Sequence, residues 1–106
     1  MPDPQTPPRI DDRVLLLAIP EPSIVADLAA QLTRGLLVAI GSDDEIAAAR
    51  VAARDLENVM FVPGAPEEIP WRDRFFTKAI AFGPLSEAAR REVERVLADA
   101  GELLSF

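Results

Sequence analysis

The chain has no cysteine, no histidine and no tyrosine. Without cysteine there can be no disulfide, thiolate catalysis or sulfur-ligated metal. Without histidine the commonest general base and the commonest metal ligand are missing. Few side chains remain that could move a proton near neutral pH. Basic residues are also in the minority, 11 against 18 acidic, for a net charge of −7. No Lys/Arg cluster stands out, so the concentrated positive face that phosphate binding needs is missing and nucleic acid is not an expected partner. No apolar run approaches the ~20 residues that cross a bilayer, so no membrane association is expected either. The N-terminus lacks the basic-then-apolar pattern of a secretory leader, and a cytoplasmic location follows by default.

What is present is a core. At 106 residues and 49% apolar content, the composition suits one globular domain. The run Val14 to Ile19 is unbroken and apolar, as expected of a strand covered on both faces. Pro22 suits the first turn of a helix, and Ile24, Leu28 and Leu32, with Val25 alongside, predict an amphipathic helix that Gly35 ends. Leu36 to Ile40 reads as a second buried strand. Ser42 with Glu45 is a capping box opening a helix that runs to about Asp55. Val59 to Val62 and Phe75 to Phe82 are expected strands. Ser86 to Ala98 predicts a helix with Ala89, Val93 and Val96 inward, and Glu102 to Phe106 closes the sequence as a fifth strand. Met1 to Pro8 holds four prolines, so residues 1–12 are read as a disordered or extended tail and 13–106 as the folded domain. The alternation predicts an α/β, Rossmann-like three-layer sandwich with five mainly parallel strands in the order 3-2-1-4-5.

In that layout a ligand site is expected at the carboxyl ends of the strands. Here the first strand turns into the first helix through Pro20-Glu21-Pro22, with no glycine.

Three segments resemble the class I S-adenosylmethionine-dependent methyltransferases of the type 11 kind. Asn58 to Trp71 (Asn-Val-Met-Phe-Val-Pro-Gly-Ala-Pro-Glu-Glu-Ile-Pro-Trp) is similar to that family's N-V-x-F-x-x-G-D-A-E-x-L-P-F. Glu92 to Leu97 with Gly101 resembles R-E-x-x-R-V-L-K-P-G-G, and Ile46 to Arg50 resembles M-L-x-x-A-R. The resemblance runs from Arg13 to Phe106 and implies the fold above. It also implies where a cofactor site would fall, at Ala18, Pro20, Glu21, Ile40, Gly41, Gly64 and Ala65. At most of them the family's chemistry is replaced, Gly64 alone matching the family's glycine. Its glycine-rich first turn is Ala18 to Pro22. The acid that holds the ribose hydroxyls is replaced by Ile40 and Gly41, and the acid on the adenine amine by Ala65. Its strand-four aspartate is Thr77, and its P-G-G is Asp99-Ala100-Gly101. The resemblance further implies a C-terminal antiparallel hairpin, for which this sequence holds no counterpart.

The remaining polar features have ordinary explanations. Asp43, Asp44 and Glu45 read as helix-capping acids rather than a cation site, and Glu67 and Glu68 as a solvated loop rather than a catalytic pair. Trp71 reads as a cap over the sheet edge rather than a stacking platform for a base, and Lys78 as a snorkelling strand residue. Arg90, Arg91 and Arg95 read as a surface paired with its own glutamates. The expectation is a degenerate, truncated methyltransferase-like domain without catalytic, metal or cofactor-binding residues, a pseudoenzyme serving as an interaction or structural module. Two alternatives stay open. One is an S-adenosylmethionine-dependent enzyme or binder with a divergent site, and the other a small-molecule sensor using the same crevice. The apolar last strand, free of Pro and Lys, predicts a homodimer through that edge or the last helix.

Overall fold

Val14, Leu15 and Leu16 are completely buried in the middle of a five-stranded sheet, as an uninterrupted apolar strand requires. The computed structural model describes residues 10–105. Segment 1–9 of the expected tail and Phe106 of the expected last strand lie outside the described residues. The strands are β1 (Arg13–Leu16), β2 (Leu36–Gly41), β3 (Val59–Pro63), β4 (Phe76–Ala81) and β5 (Leu97–Ser105). The helices are α1 (Pro22–Gln31), α2 (Asp43–Ala52) and α3 (Glu87–Val96). The sheet order is β3-β2-β1-β4-β5, with every pairing parallel. This is the Rossmann-like arrangement the alternation predicted.

Each face of the sheet has its own core. On one face Val14, Leu16, Leu37 and Ile80 pack under Val25, Ala29 and Leu32 of the α1 region and Ile46 of α2. On the other, Leu15, Val38, Ile40 and Phe76 pack under Val93 and Val96 of α3. Burial of a side chain of this size contributes about 1.5–3 kcal/mol.

The helices begin where their caps are. Ser42 accepts the Glu45 N–H, and the Glu45 side chain accepts the Ser42 N–H, closing the expected capping box. Ser86 caps α3 in the same way through the Ala89 N–H. At the far end of α1, the Asn58 side-chain amide donates to the carbonyls of Ala29 and Leu32, at 2.9 and 2.8 Å. A residue just before β3 thus satisfies acceptors that α1 leaves open.

Several boundaries differ from the expectation. β1 stops at Leu16, and α1 and α2 end at Gln31 and Ala52. The buried stripe of α1 is Val25 and Ala29, continued by Leu32, while Ile24 is 41% exposed. Phe82, expected in the core, is also 41% exposed, because β4 ends at Ala81 and the chain turns at Gly83 with φ +138°. Ile19, Leu36 and Val59 are only half-buried. Ordered packing also starts before Arg13. The Ile10 carbonyl accepts the Arg34 N–H at 2.8 Å, and Asp12 is buried.

β5 follows α3 without a connecting loop. Leu97 pairs with Phe76 and Glu102 pairs with Lys78, so residues 98–101 bulge out opposite Thr77. Regular pairing then runs from Glu102 to Ser105 along the sheet edge.

Candidate functional site

In a sheet of this order, the crevice lies where the carboxyl ends of β1 and its neighbours meet the loops that follow. Every position at which the sequence places a cofactor contact lies here or just beneath. Ala18 is exposed in the bend after β1, and Pro20 is half-buried. Glu21 is the N-cap residue of α1 but makes no side-chain cap hydrogen bond, and Pro22 follows in the first turn. Pro22 has no N–H to offer a ligand, so this helix start has one donor fewer than a phosphate- or carboxylate-binding turn.

Ile40 is buried in the α3-side core. It presents no group to the crevice. Gly41 ends β2, and its carbonyl accepts the Gly64 N–H at 3.1 Å, which continues the β2–β3 ladder beyond the strands. Both glycines are already covered. A Cβ placed on Gly41 would lie 2.9 Å from Ile19 Cδ1 and 3.4 Å from the Glu45 carboxylate. A Cβ on Gly64 would lie 2.7 Å from Pro70 Cδ. Close backbone approach is what glycine permits at such positions, and here the chain's own Ile19 and Pro70 make that approach. Ala65 forms an isolated bridge with Glu68 and carries no acceptor on its side chain.

Of the charged groups nearby, Glu45 gives one carboxylate oxygen to the cap of α2. Glu45 is held below its usual value of 4.5, first by the Ser42 N–H and then by the Ser42 hydroxyl. Asp43 and Asp44 stand beside it in the exposed first turn of α2. Among the described residues, no three carboxylate, imidazole or thiol groups lie close enough to hold a metal ion.

Sequence reasoning missed the clamp under the β3–β4 loop. Arg95 Nη1 donates to the Trp71 carbonyl at 2.8 Å and to Asp73 at 2.7 Å. Its Nη2 donates to the Ile69 carbonyl at 2.8 Å, and its Nε to Glu92 at 2.8 Å. Glu92 also accepts the Ile69 N–H at 2.9 Å. Arg95 and the Ile69 amide hold the Glu92 carboxyl below its usual value, and Glu92 and Asp73 push the guanidinium higher still. Of the three arginines expected to form a paired surface, Arg91 pairs with Glu87 and Arg95 with Glu92, each at 2.8 Å. Arg95 also fastens the loop to α3. A planar five-donor fork suits two carbonyls and two carboxylates at once. Trp71 packs against Phe75 and Phe76, with ring centroids 5.4 and 5.7 Å away.

A second network was also invisible in sequence. The Thr77 hydroxyl, where the resemblance expects an acid, accepts the Arg13 N–H and donates to Asp12, each at 2.9 Å. The Lys78 side chain, expected to snorkel, is 14% exposed, and its ammonium lies 4.0 Å from Asp12 and 3.7 Å from Glu102.

The five-strand order, the parallel pairing and helices on both faces together define the fold of class I S-adenosylmethionine-dependent methyltransferases. Solved structures bear this out. The YcgJ protein from Bacillus subtilis matches 92% of this chain and 44% of its own length, with a TM-score of 0.77 at 24% identity. An S-adenosylmethionine-dependent methyltransferase from Aquifex aeolicus matches 88% of this chain and 54% of its own, with a TM-score of 0.77 at 19% identity. A geranyl diphosphate methyltransferase solved in complex with S-adenosylmethionine matches 93% and 43%, with a TM-score of 0.79 at 11% identity. The chain spans about half the length of these structures. No family model and no curated protein matches it. At such identities the likeness establishes the fold, and function has to be argued from the site.

Where the resemblance implies a ribose contact stand Ile40 and Gly41, with Ile19 close over the glycine, and where it implies an adenine contact stands Ala65, beside a Gly64 with Pro70 close over it.

Proposed function

We propose that the chain is a non-catalytic methyltransferase-like domain, a cytoplasmic interaction or structural module that does not use S-adenosylmethionine. The observation that carries this reading is the seating of Ile19 on Gly41 and of Pro70 on Gly64, which puts hydrocarbon where a cofactor's polar rim would need partners. Hydrogen bonds to charged groups are worth about 1.5–3 kcal/mol each. Lacking the ribose and adenine acids therefore weakens binding about a hundredfold or more. The edge position of β5 supports a second part of the proposal, self-association into a homodimer through that strand. The outward residues of α3, including Arg90, Arg91 and Glu94, are charged and exposed, which favours the strand over the helix as the contact.

The rival reading is a cofactor-binding domain with a divergent site. Its support is the fold match to a methyltransferase solved with S-adenosylmethionine. Isothermal titration with S-adenosylmethionine and with its demethylated product separates the two. The module gives no saturable heat at micromolar cofactor and no rise in Tm. Micromolar binding accompanied by quenching of Trp71 would overturn it.

A further inference from the structure

An apolar opening lies on the α1–α2 face, beside the crevice and sharing Ile19, Pro20 and Glu45 with it. It is a cavity of about 240 Å³ that includes Ile19, Pro20, Val25, Ala49, Phe61 and Glu45 in its wall. Its cause is compositional. α2 turns Ala48, Ala49 and Ala52 toward this space, and α1 begins with two prolines on either side of Glu21. No large side chain fills the gap between the helices. Glu45 is the one charged residue in the wall. Its carboxylate and the tip of Ile19 both lie over Gly41, 3.4 and 2.9 Å from where a Cβ there would lie. Asp43 and Asp44 add negative charge at the same helix end. Arg50, the cation on α2, does not line the cavity, and its Nη2 donates to the Phe61 carbonyl at 3.2 Å.

We propose that this cavity is a binding site for a small organic ammonium ion. Val25, Ala49 and Phe61 would take up its hydrocarbon body, and the Glu45 carboxylate would hold its charge. The chemistry follows from the wall: an apolar chamber selects hydrocarbon, and a lone carboxylate at its exposed rim selects a cation over an alcohol or an acid. The volume lies below the ~300–1,000 Å³ of pockets for drug-sized molecules, so the fit is to something of amine-and-short-chain size. The Ser42 N–H bond keeps Glu45 ionised and fixed in direction. The site adjoins the crevice, since Ile19 and Glu45 also stand over Gly41, but its ammonium titration reads out separately from the S-adenosylmethionine titration.

The test uses the full chain, labelled with ¹⁵N, titrated with n-hexylammonium, 1-hexanol and hexanoate at millimolar concentration. Saturable shifts confined to α1 and α2 amides are expected for hexylammonium, weaker ones for hexanol, and none for hexanoate. Glu45→Gln preserves the capping box. It should weaken hexylammonium about two- to fivefold, the scale of a partly exposed ion pair, and leave hexanol unchanged. Ala49→Leu, or Ala48→Leu should the first not fold, fills the chamber and should abolish both. The proposal is overturned by the absence of saturable shifts with hexylammonium, by equal binding of ammonium and alcohol, or by a Glu45→Gln variant that binds the ammonium as well as the parent chain.

Discussion

Ile19 lies across Gly41 so closely that a single added carbon on the glycine would stand 2.9 Å from the isoleucine's Cδ1. The blocking atom is the movable end of a half-buried side chain, so Gly41→Ala should cost no more than about 1 kcal/mol. In an Ile19→Ala background the same change should cost at least ~0.5 kcal/mol less, because neighbouring residues couple. Urea denaturation of the four proteins measures this. Equal costs in both backgrounds would remove Ile19 from the crevice.

Arg95→Lys should destabilise by about 2 kcal/mol, since one ammonium cannot replace a fork that reaches two carbonyls and two carboxylates. Trp71 emission should shift to the red as its loop loosens. A variant whose denaturation midpoint and emission both match the parent would show that the clamp does not hold the loop.

The acid limb of stability should carry the mark of Glu92. Its carboxyl is held low in the folded chain, first by Arg95 and then by the Ile69 amide. The stabilisation is therefore complete above the ordinary carboxylate value of 4.5 and is lost as pH falls through the lower folded value. Glu92→Gln should lower Tm at pH 7 and flatten its fall below pH ~4.5. Parallel Tm curves for the two proteins across that range would contradict the assignment.

Phe76 is completely buried beneath α3. Truncation to alanine should cost about 3–5 kcal/mol, read as a drop in the urea midpoint. Phe82→Ala, at an exposed position, should cost much less. Comparable losses at the two sites would invert the assignment of core and surface.

If β5 is a dimer edge, light scattering at tens of micromolar should give twice the chain mass. Amide exchange in residues 102–105 should also slow as concentration rises. A monomer mass throughout would end that part of the proposal.

The strands themselves and the cap of α2 were legible in sequence because they depend on local signals. Continuous apolar runs marked the strands, and Ser42 with Glu45 marked the start of α2. Phe82 was misplaced because an apolar run does not show where a sheet lets go of a strand. The Arg95 clamp links residues more than twenty positions apart, and the Asp12–Thr77 bond spans 65. No periodicity encodes such pairs. At the crevice the sequence placed Ile40 and Ala65, and the structure finds Ile40 at the end of β2 and Ala65 just past the end of β3. That Ile19 and Pro70 cover the two glycines depends on side-chain direction, which residue identity alone does not fix.

The bulge between α3 and β5 has a consequence for length variation. Leu97 and Glu102 are both pinned to β4, two register positions apart, while five chain steps separate them. Residues 98–101 are slack that carries no ladder. One or two residues inserted there should pass into the bulge without shifting α3 or the pairing of Glu102 to Ser105. A single residue inserted between Lys78 and Ile80 would turn every following side chain of β4 to the wrong face. The carboxyl-side junction of α3 is thus where chain length can drift while the sheet keeps its register.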